Sequence, residues 1–117
     1  MSRSVLLQLA RDSIEEVLEA QRTINKASLL SEHPLLGEMI TTTVNLYINS
    51  ELRGSFSSAE AQKSLLEDII YNAKKAAFED TNHSPLCTSE YLSCEVEVIL
   101  NTPDGVISEK DPAILKN

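Results

Sequence analysis

The sequence has little of several residue types that commonly signal a function. Among 117 residues there are no Trp, only 4% aromatic residues, two Cys, three Gly and four Pro. The longest apolar run is far shorter than the roughly 20 residues that a membrane-spanning helix needs, and charged residues interrupt the N-terminal apolar stretch. The sequence therefore predicts no membrane contact and a cytoplasmic protein, in which Cys87 and Cys94 remain reduced.

Basic residues are also scarce, which weighs against nucleic acid as a partner. The chain has 10 Lys and Arg against 18 Asp and Glu, for a net charge of −8. Nucleic-acid-binding domains cluster their cations, whereas here the basic residues are scattered along the sequence and Lys74-Lys75 is the only adjacent pair. The acidic balance is interpreted as a means of solubility.

No catalytic or metal-binding motif is present. The spacings typical of zinc sites are missing, as is a nucleophile elbow, so the sequence predicts no metal, no cofactor and no catalytic residue. His33 and His83 are interpreted as loop residues rather than parts of a Ser-His-acid triad. Cys87 lies near His83 in a Pro-flanked loop, where a cysteine is more often exposed or packed than reactive.

Hydrophobic periodicity predicts the main elements of one globular domain over residues 1–117. Apolar residues at three- and four-residue steps favour a helix over residues 4–21 and a second helix that ends at about residue 79. A capping-box pattern predicts the start of the second helix at Ser64, and a similar pattern at Ser57 offers an earlier start. Alternation favours strands over residues 41–48, 51–56 and 94–100. Residues 23–40 are expected to be loop-like, residues 80–93 to form a crossing segment and residues 102–105 to form a turn.

The hairpin between the first two strands allows a test of register. A two-residue loop at Asn49-Ser50 would mix the polar and apolar faces of the strands, whereas a three-residue loop would set Leu46 opposite Leu52 or Gly54. The sequence therefore predicts a three-residue loop, with Asn49 or Ser50 near the left-handed region.

Two other patterns each allow two interpretations. Glu95 and Glu97 share a strand face and could bind a metal or act in acid–base chemistry, but the solvated side of an antiparallel sheet is favoured. Asp111-Pro112 has the pattern of a helix N-cap followed by Pro at the first helical position. The alternative for these last residues is a frayed acidic tail.

The strand around Gly54 carries the candidate binding residues, which are Arg53, Gly54, Ser55 and Phe56. Glycine weakens a strand interior unless a backbone or a ligand must approach closely. Arg53, expected on the outward face, is suited to contact an anion or a carboxylate. The alternative is an edge-strand arginine paired with a glutamate.

The order of several motifs resembles the AMMECR-one domain family. Residues 52–57, Leu-Arg-Gly-Ser-Phe-Ser, share three of six positions with the family's Leu-Arg-Gly-Cys-Ile-Gly hallmark, which also follows a strand and a turn. Residues 65–69 resemble its Leu-Ala-Glu-Asp-Val helix start, residues 76–80 its Ala-Ala-Phe-x-Asp block, and residues 92–98 its Leu-x-Ile-Glu-Val-x-Val strand. The resemblance rests on this ordered set, which spans nearly the whole chain.

The resemblance implies an α+β fold, in which helices flank an antiparallel sheet, and no firm activity. Ser55 stands where the hallmark has Cys, and serine without an adjacent base is a far poorer nucleophile. Family members are longer, so this chain is expected to lack their C-terminal segment. Similar prokaryotic domains occur beside, or fused to, a Memo-like protein and a radical-SAM protein, which implies a shared pathway.

These observations favour a non-catalytic interaction module whose surface includes Arg53 and the exposed face around Gly54. Loss of the family's C-terminal strands would leave sheet edges open, which predicts a homodimer, alongside a protein partner from the family's pathway. The alternative is a ligand-binding or enzymatic domain that uses a groove formed by Arg53, Gly54 and Ser55.

Overall fold

The computed structural model describes residues 3–115. They contain four α-helices, one short 3-10 helix and four strands. In chain order they are α1 (Val5–Leu18), α2 (Lys26–Glu32), the 3-10 helix (Pro34–Gly37), β1 (Thr41–Ile48), β2 (Glu51–Ser57), α3 (Leu65–Phe78), α4 (Thr88–Leu92), β3 (Glu95–Thr102) and β4 (Gly105–Asp111). The expected α+β fold is confirmed. Within these residues, no helix has the length and apolar character needed to span a bilayer.

The strands form one antiparallel sheet in the order β2-β1-β3-β4. Two local hairpins, β1–β2 and β3–β4, are joined by pairing of β1 with β3. Helices α1 and α3 pack against each other and against one face of this sheet. The other face, here called the open face, carries the half-exposed alternate residues of β1 and β3, among them Asn45 and Glu97.

The core lies between α1, α3 and the sheet. Both helices begin at serine caps: Ser4 Oγ accepts from the Leu7 amide at 3.2 Å, and Ser64 Oγ accepts from the Glu67 amide at 3.3 Å. The predicted start of α3 at Ser64 is thereby confirmed. Fully buried apolar residues come from α1, α3, β1 and β3, and they include Leu9, Ala10, Ile14, Val44, Leu46, Leu66, Ile69, Ala73, Ala76, Val96 and Val98.

Four regular elements lie where the sequence predicted none or only a connection. Residues 23–40 are not all loop, since they contain α2 and the 3-10 helix, and residues 80–93 contain α4. Helix α2 has no buried residue. A helix of this kind needs no apolar stripe, which is the signal by which helices are predicted. Strand β4 has exposed residues on both faces, which removes the alternation by which a strand is recognised.

The predicted helix start at Asp111-Pro112 is wrong. Asp111 ends β4, and residues 112–115 contain no helix. The Asp111 carboxylate is instead the partner of Arg11, whose Nε lies 2.8 Å from Oδ2. The Leu115 amide donates to the Leu92 carbonyl at 2.8 Å, so residues 112–115 are held against α4 rather than frayed, and residues 116–117 lie outside the described residues.

Candidate functional site

The β1–β2 hairpin sets the orientation of the candidate residues. Asn49 and Ser50 form a two-residue turn with φ of 52° and 68°, so the left-handed conformation is confirmed and the three-residue loop is wrong. A β-bulge makes the register shift instead, because Arg53 is an extra residue in β2. The bulge sets Leu46 opposite Gly54, which is one of the two predicted pairings.

The bulge turns Arg53 and Gly54 toward the helical side of the sheet. Arg53 is only 8% exposed, so its predicted outward orientation is wrong, and it forms the pairing with a glutamate that the alternative expected. Its Nε donates to Glu90 Oε2 at 3.0 Å and its Nη2 to the Ser84 carbonyl at 2.8 Å. Gly54 lies against the carbonyl of Ala76 in α3, and a Cβ atom there would overlap that oxygen. The close backbone approach predicted for Gly54 is confirmed.

Ser55 points the other way and joins a network on the open face. Its Oγ donates to Asn45 Oδ1 at 2.6 Å, and Asn45 Nδ2 donates to Glu97 Oε1 at 3.0 Å. The Tyr47 hydroxyl donates to the same Glu97 oxygen at 2.8 Å, and Lys110 Nζ lies 4.5 Å from the centroid of the Tyr47 ring. These five residues, one or two from each strand, are called the open-face network.

The open-face network holds its charges in a fixed state. The hydrogen bond from Asn45, aided by that from Tyr47, keeps the pKa of Glu97 below its usual value. Burial, and then the hydrogen bond to Glu97, raise the pKa of Tyr47. Glu97 is therefore an anion and Tyr47 a neutral donor at neutral pH. Such an array can bind a polar surface, but its groups are poorly suited to exchange protons near pH 7.

An acid and a histidine lie close to Ser55 without forming a catalytic triad. Asp80 Oδ2 accepts from the peptide nitrogen of Ser55 at 3.0 Å, and Asp80 Oδ1 lies 3.8 Å from His83 Nδ1. The backbone hydrogen bond from Asn82 is the main cause of the lowered pKa of Asp80. Because the Ser55 hydroxyl bonds to Asn45 on the open face, it is not aligned with this pair.

Phe56, the fourth candidate residue, turns toward the helical side again. Its ring lies 5.9 Å from the Tyr71 ring of α3 in an edge-to-face arrangement. The four predicted site residues are therefore not brought together, because Arg53, Gly54 and Phe56 serve the packing of β2 on the helices. Only Ser55 belongs to the open-face network.

Sequence reasoning did not select the other members of the open-face network. Glu97 was expected on the solvated side of the sheet, where it does lie, but its contacts with Asn45 and Tyr47 require the pairing of β1 with β3. The alternation of residues along β1 and β3 was a usable signal, because it places Asn45, Tyr47 and Glu97 on the same face of the sheet. Lys110 could not be found, because β4 itself was not predicted.

Comparisons with known proteins agree with the order of motifs. A family model described as AMMECR1 matches residues 7–114. The crystal structure of the uncharacterized protein PH0010 from Pyrococcus horikoshii is similar, with a TM-score of 0.73 and 30% sequence identity over 84% of this chain and 50% of that chain. The present chain thus spans about half the length of that protein. No curated protein sequence matches the chain.

Proposed function

The chain belongs to the AMMECR1 family, and from this premise we propose that it is a non-catalytic interaction module that binds a protein partner through its open face. The observation that carries the proposal is the placement of Ser55. The residue at the family's Cys position presents its hydroxyl to the Asn45 amide oxygen, 2.6 Å away. An amide oxygen accepts a hydrogen bond but does not remove the proton, so Ser55 is not activated as a nucleophile.

The buried cysteine gives the same support, and the exposed one bears on localisation. Cys94 is buried, and burial raises the pKa of its thiol to about 11, which keeps it protonated and unreactive. Cys87 is an exposed free thiol at the start of α4. An exposed free cysteine of this kind favours our further proposal that the protein resides in the cytoplasm, where thiols stay reduced.

The shape and chemistry of the open face suit a polar protein surface. Both long helices lie on the opposite side of the sheet, and the open-face network offers the Glu97 carboxylate, the Lys110 ammonium and the Asn45 amide side by side. Charged and amide groups fixed in this way provide specificity and complementary charge to a partner. Given the association of similar domains, we propose a Memo-like or radical-SAM protein as that partner.

Affinity capture from the native extract, with mass spectrometry and then purified proteins, tests this function. The variant Asn45→Lys places a cation at the centre of the open-face network, and Gln62→Lys makes the same change on an exposed loop. We expect wild type and Gln62→Lys to capture the same Memo-like or radical-SAM protein, and Asn45→Lys to bind it at least about tenfold more weakly. Equal binding by all three folded proteins would contradict the proposal.

A second candidate function is binding of a small anion beside Arg53. A shallow pocket of about 300 Å³ is lined by Ile48, Asn49, Glu51, Leu52, Arg53 and His83. The buried Nη1 of Arg53 has no hydrogen-bond acceptor among residues 3–115. Ser55 does not line this pocket. This candidate function therefore does not depend on the groove of Arg53, Gly54 and Ser55 that the sequence suggested. A thermal shift with citrate or phosphate that His83→Ala abolishes would favour it over the interaction module.

We also propose a homodimer formed through the β4 edge. Within residues 3–115, β4 pairs with β3 and with no other strand. Its two apolar residues, Val106 and Ile107, are 70% and 52% exposed. An exposed edge of this kind favours pairing with a second strand. Sedimentation velocity should show a dimer that Ile107→Lys disrupts, whereas Leu52→Lys at the β2 edge leaves it intact. A monomer at all micromolar concentrations would refute the dimer.

A further inference from the structure

Cations that are scattered along the sequence meet on the outer side of α3. Arg22, Lys26 and Lys74 line an open groove of about 730 Å³ between the end of α1, the following loop and α3. Lys63, Lys74 and Lys75 line an adjoining depression of about 250 Å³. Since Lys74 and Ile70 belong to both, the two depressions form one continuous surface, here called the α3 groove.

The α3 groove has an apolar and aromatic floor. Val17 and Ile24 line its larger part with Ile70, and Val17 is 45% exposed. Tyr71 is 40% exposed in the smaller part, where the Nζ atoms of Lys63 and Lys75 lie 4.1 and 5.3 Å from its ring centroid. The surface can therefore accept an apolar or aromatic side chain with cations on either side of it.

The charge of the α3 groove is opposite to that of the whole protein. Its five cations are interleaved with three carboxylates, Glu16, Glu67 and Glu79. These charged residues therefore carry a net charge of +2. Because the whole chain has a net charge of −8, the residues outside the groove carry −10.

Two of the five cations are available to a partner. Lys26, Lys74 and Lys75 form ion pairs within the groove, at 2.8, 3.1 and 2.9 Å. Arg22 and Lys63 form no ion pair with any residue between 3 and 115.

We propose that the α3 groove binds a short acidic segment of another protein, with one bulky apolar side chain on the floor formed by Val17, Ile24 and Ile70. Carboxylates flanking that side chain would meet the unpaired cations of Arg22 and Lys63. A long polyanion such as a nucleic acid suits the surface less well, because the interleaved carboxylates and the −10 of the remaining chain repel it. This surface lies on the helical side, so the proposal is independent of binding at the open face.

Fluorescence anisotropy with a labelled acidic peptide tests the proposal on the full chain. The probe is a nine-residue peptide of Glu and Asp with a central Phe, at about 100 mM salt, where surface attraction is still felt. Lys63→Glu and Lys110→Glu form a matched pair, because each lysine lies over a tyrosine ring, at 4.1 and 4.5 Å, on opposite sides of the protein. Arg22→Glu is a second variant within the groove.

We expect saturable binding by wild type that weakens about fivefold or more in Lys63→Glu and Arg22→Glu, and less than about twofold in Lys110→Glu. Replacing the central Phe of the peptide by Ser should weaken binding as well. Three results would overturn the proposal: no saturable binding by wild type, equal effects of Lys63→Glu and Lys110→Glu, or tighter binding of a single-stranded oligothymidylate than of the peptide.

Discussion

At the scale of single residues, Gly54 of β2 has no room for a side chain. A Cβ atom there would overlap the Ala76 carbonyl, which belongs to a helix backbone and cannot rotate away. We therefore expect Gly54→Ala to destabilise the protein by about 3 kcal/mol or more, since forced overpacking shifts a whole element. Urea unfolding followed by circular dichroism measures this loss.

Gly37→Ala is the control for the Gly54 prediction. A Cβ atom at Gly37 would meet only the Leu30 side chain, at an ordinary distance of 3.8 Å. A change of less than about 1 kcal/mol is expected there. If both alanine variants lost the same stability, close packing of Gly54 on α3 would not be the reason for this glycine.

The ion pair of Arg53 makes stability depend on pH. The hydrogen bond from Arg53 is the main cause that lowers the pKa of Glu90 from 4.5 to about 2 in the folded protein. Ionised Glu90 therefore stabilises the fold above about pH 4.5, and this contribution is lost as the pH falls through about 2. Wild type should be more stable than Glu90→Gln near neutral pH, and the difference in urea midpoint should shrink as the pH approaches 2.

Glu60→Gln, which removes an exposed carboxylate elsewhere, corrects this comparison for the general effect of one charge. A constant difference between wild type and Glu90→Gln across the acid range would show that Arg53 does not stabilise the ionised form of Glu90.

The residues of the site were only partly predictable for a physical reason. The close approach at Gly54 follows from glycine inside a strand, which is a local property. The burial of Arg53 depends on the bulge, and a strand sequence does not show where an extra residue is accommodated. The contact of Ser55 with Asn45, and of Asn45 with Glu97, depends on strand pairing, which is a non-local property.

At the scale of elements, the β1–β2 turn is not at its most stable sequence. Asn49 and Ser50 both have positive φ, and asparagine tolerates that conformation better than serine, while glycine adopts it freely. Ser50→Gly is expected to raise the free energy of unfolding by about 0.5 to 1 kcal/mol, because it relieves the steric cost of the left-handed region. Ser50→Ala, measured in the same urea titration, should give no gain. An equal gain from both would mean that backbone strain at this turn is small.

Elements with one buried face were predicted well, and those without one were missed. β1 was predicted with its correct bounds, because buried and half-exposed residues alternate along its first six positions. Helix α3 was predicted within about one residue at each end, since its cap and apolar stripe agree. Helix α2 and strand β4 bury almost nothing, so local composition carried no sign of them.

At the scale of the whole molecule, one buried cation holds the helical layer to the far end of the sheet. Arg11 of α1 is fully buried, pairs with Asp111 at 2.8 Å and donates to the carbonyls of Cys94 and Pro112 at 3.0 and 2.9 Å. Arg11→Met would leave a nearly buried carboxylate without its main partner, and we expect a loss of about 3 kcal/mol in urea unfolding.

Arg3 provides the matched control for Arg11, because its Nε lies 2.9 Å from the same Asp111 oxygen with a side chain that is 31% exposed. Arg3→Met should cost less than about 1 kcal/mol, as exposed ion pairs generally do. Similar losses in the two variants would indicate that burial of the Arg11 pair contributes nothing beyond its charge.

The order β2-β1-β3-β4 places two local hairpins on either side of one non-local strand pair. Each hairpin closes through a two-residue turn, a process that takes microseconds. The central pair is different, because Tyr47 meets Glu95 only after the chain of residues 48–94 has been looped back, and non-local contacts of this kind slow folding. We therefore expect the joining of the two hairpins to limit the folding rate, so that truncation of Val44 or Val98 at this seam slows refolding. Changes in the turns, which form before this step, should also act mainly on the folding rate and leave the unfolding rate nearly unchanged.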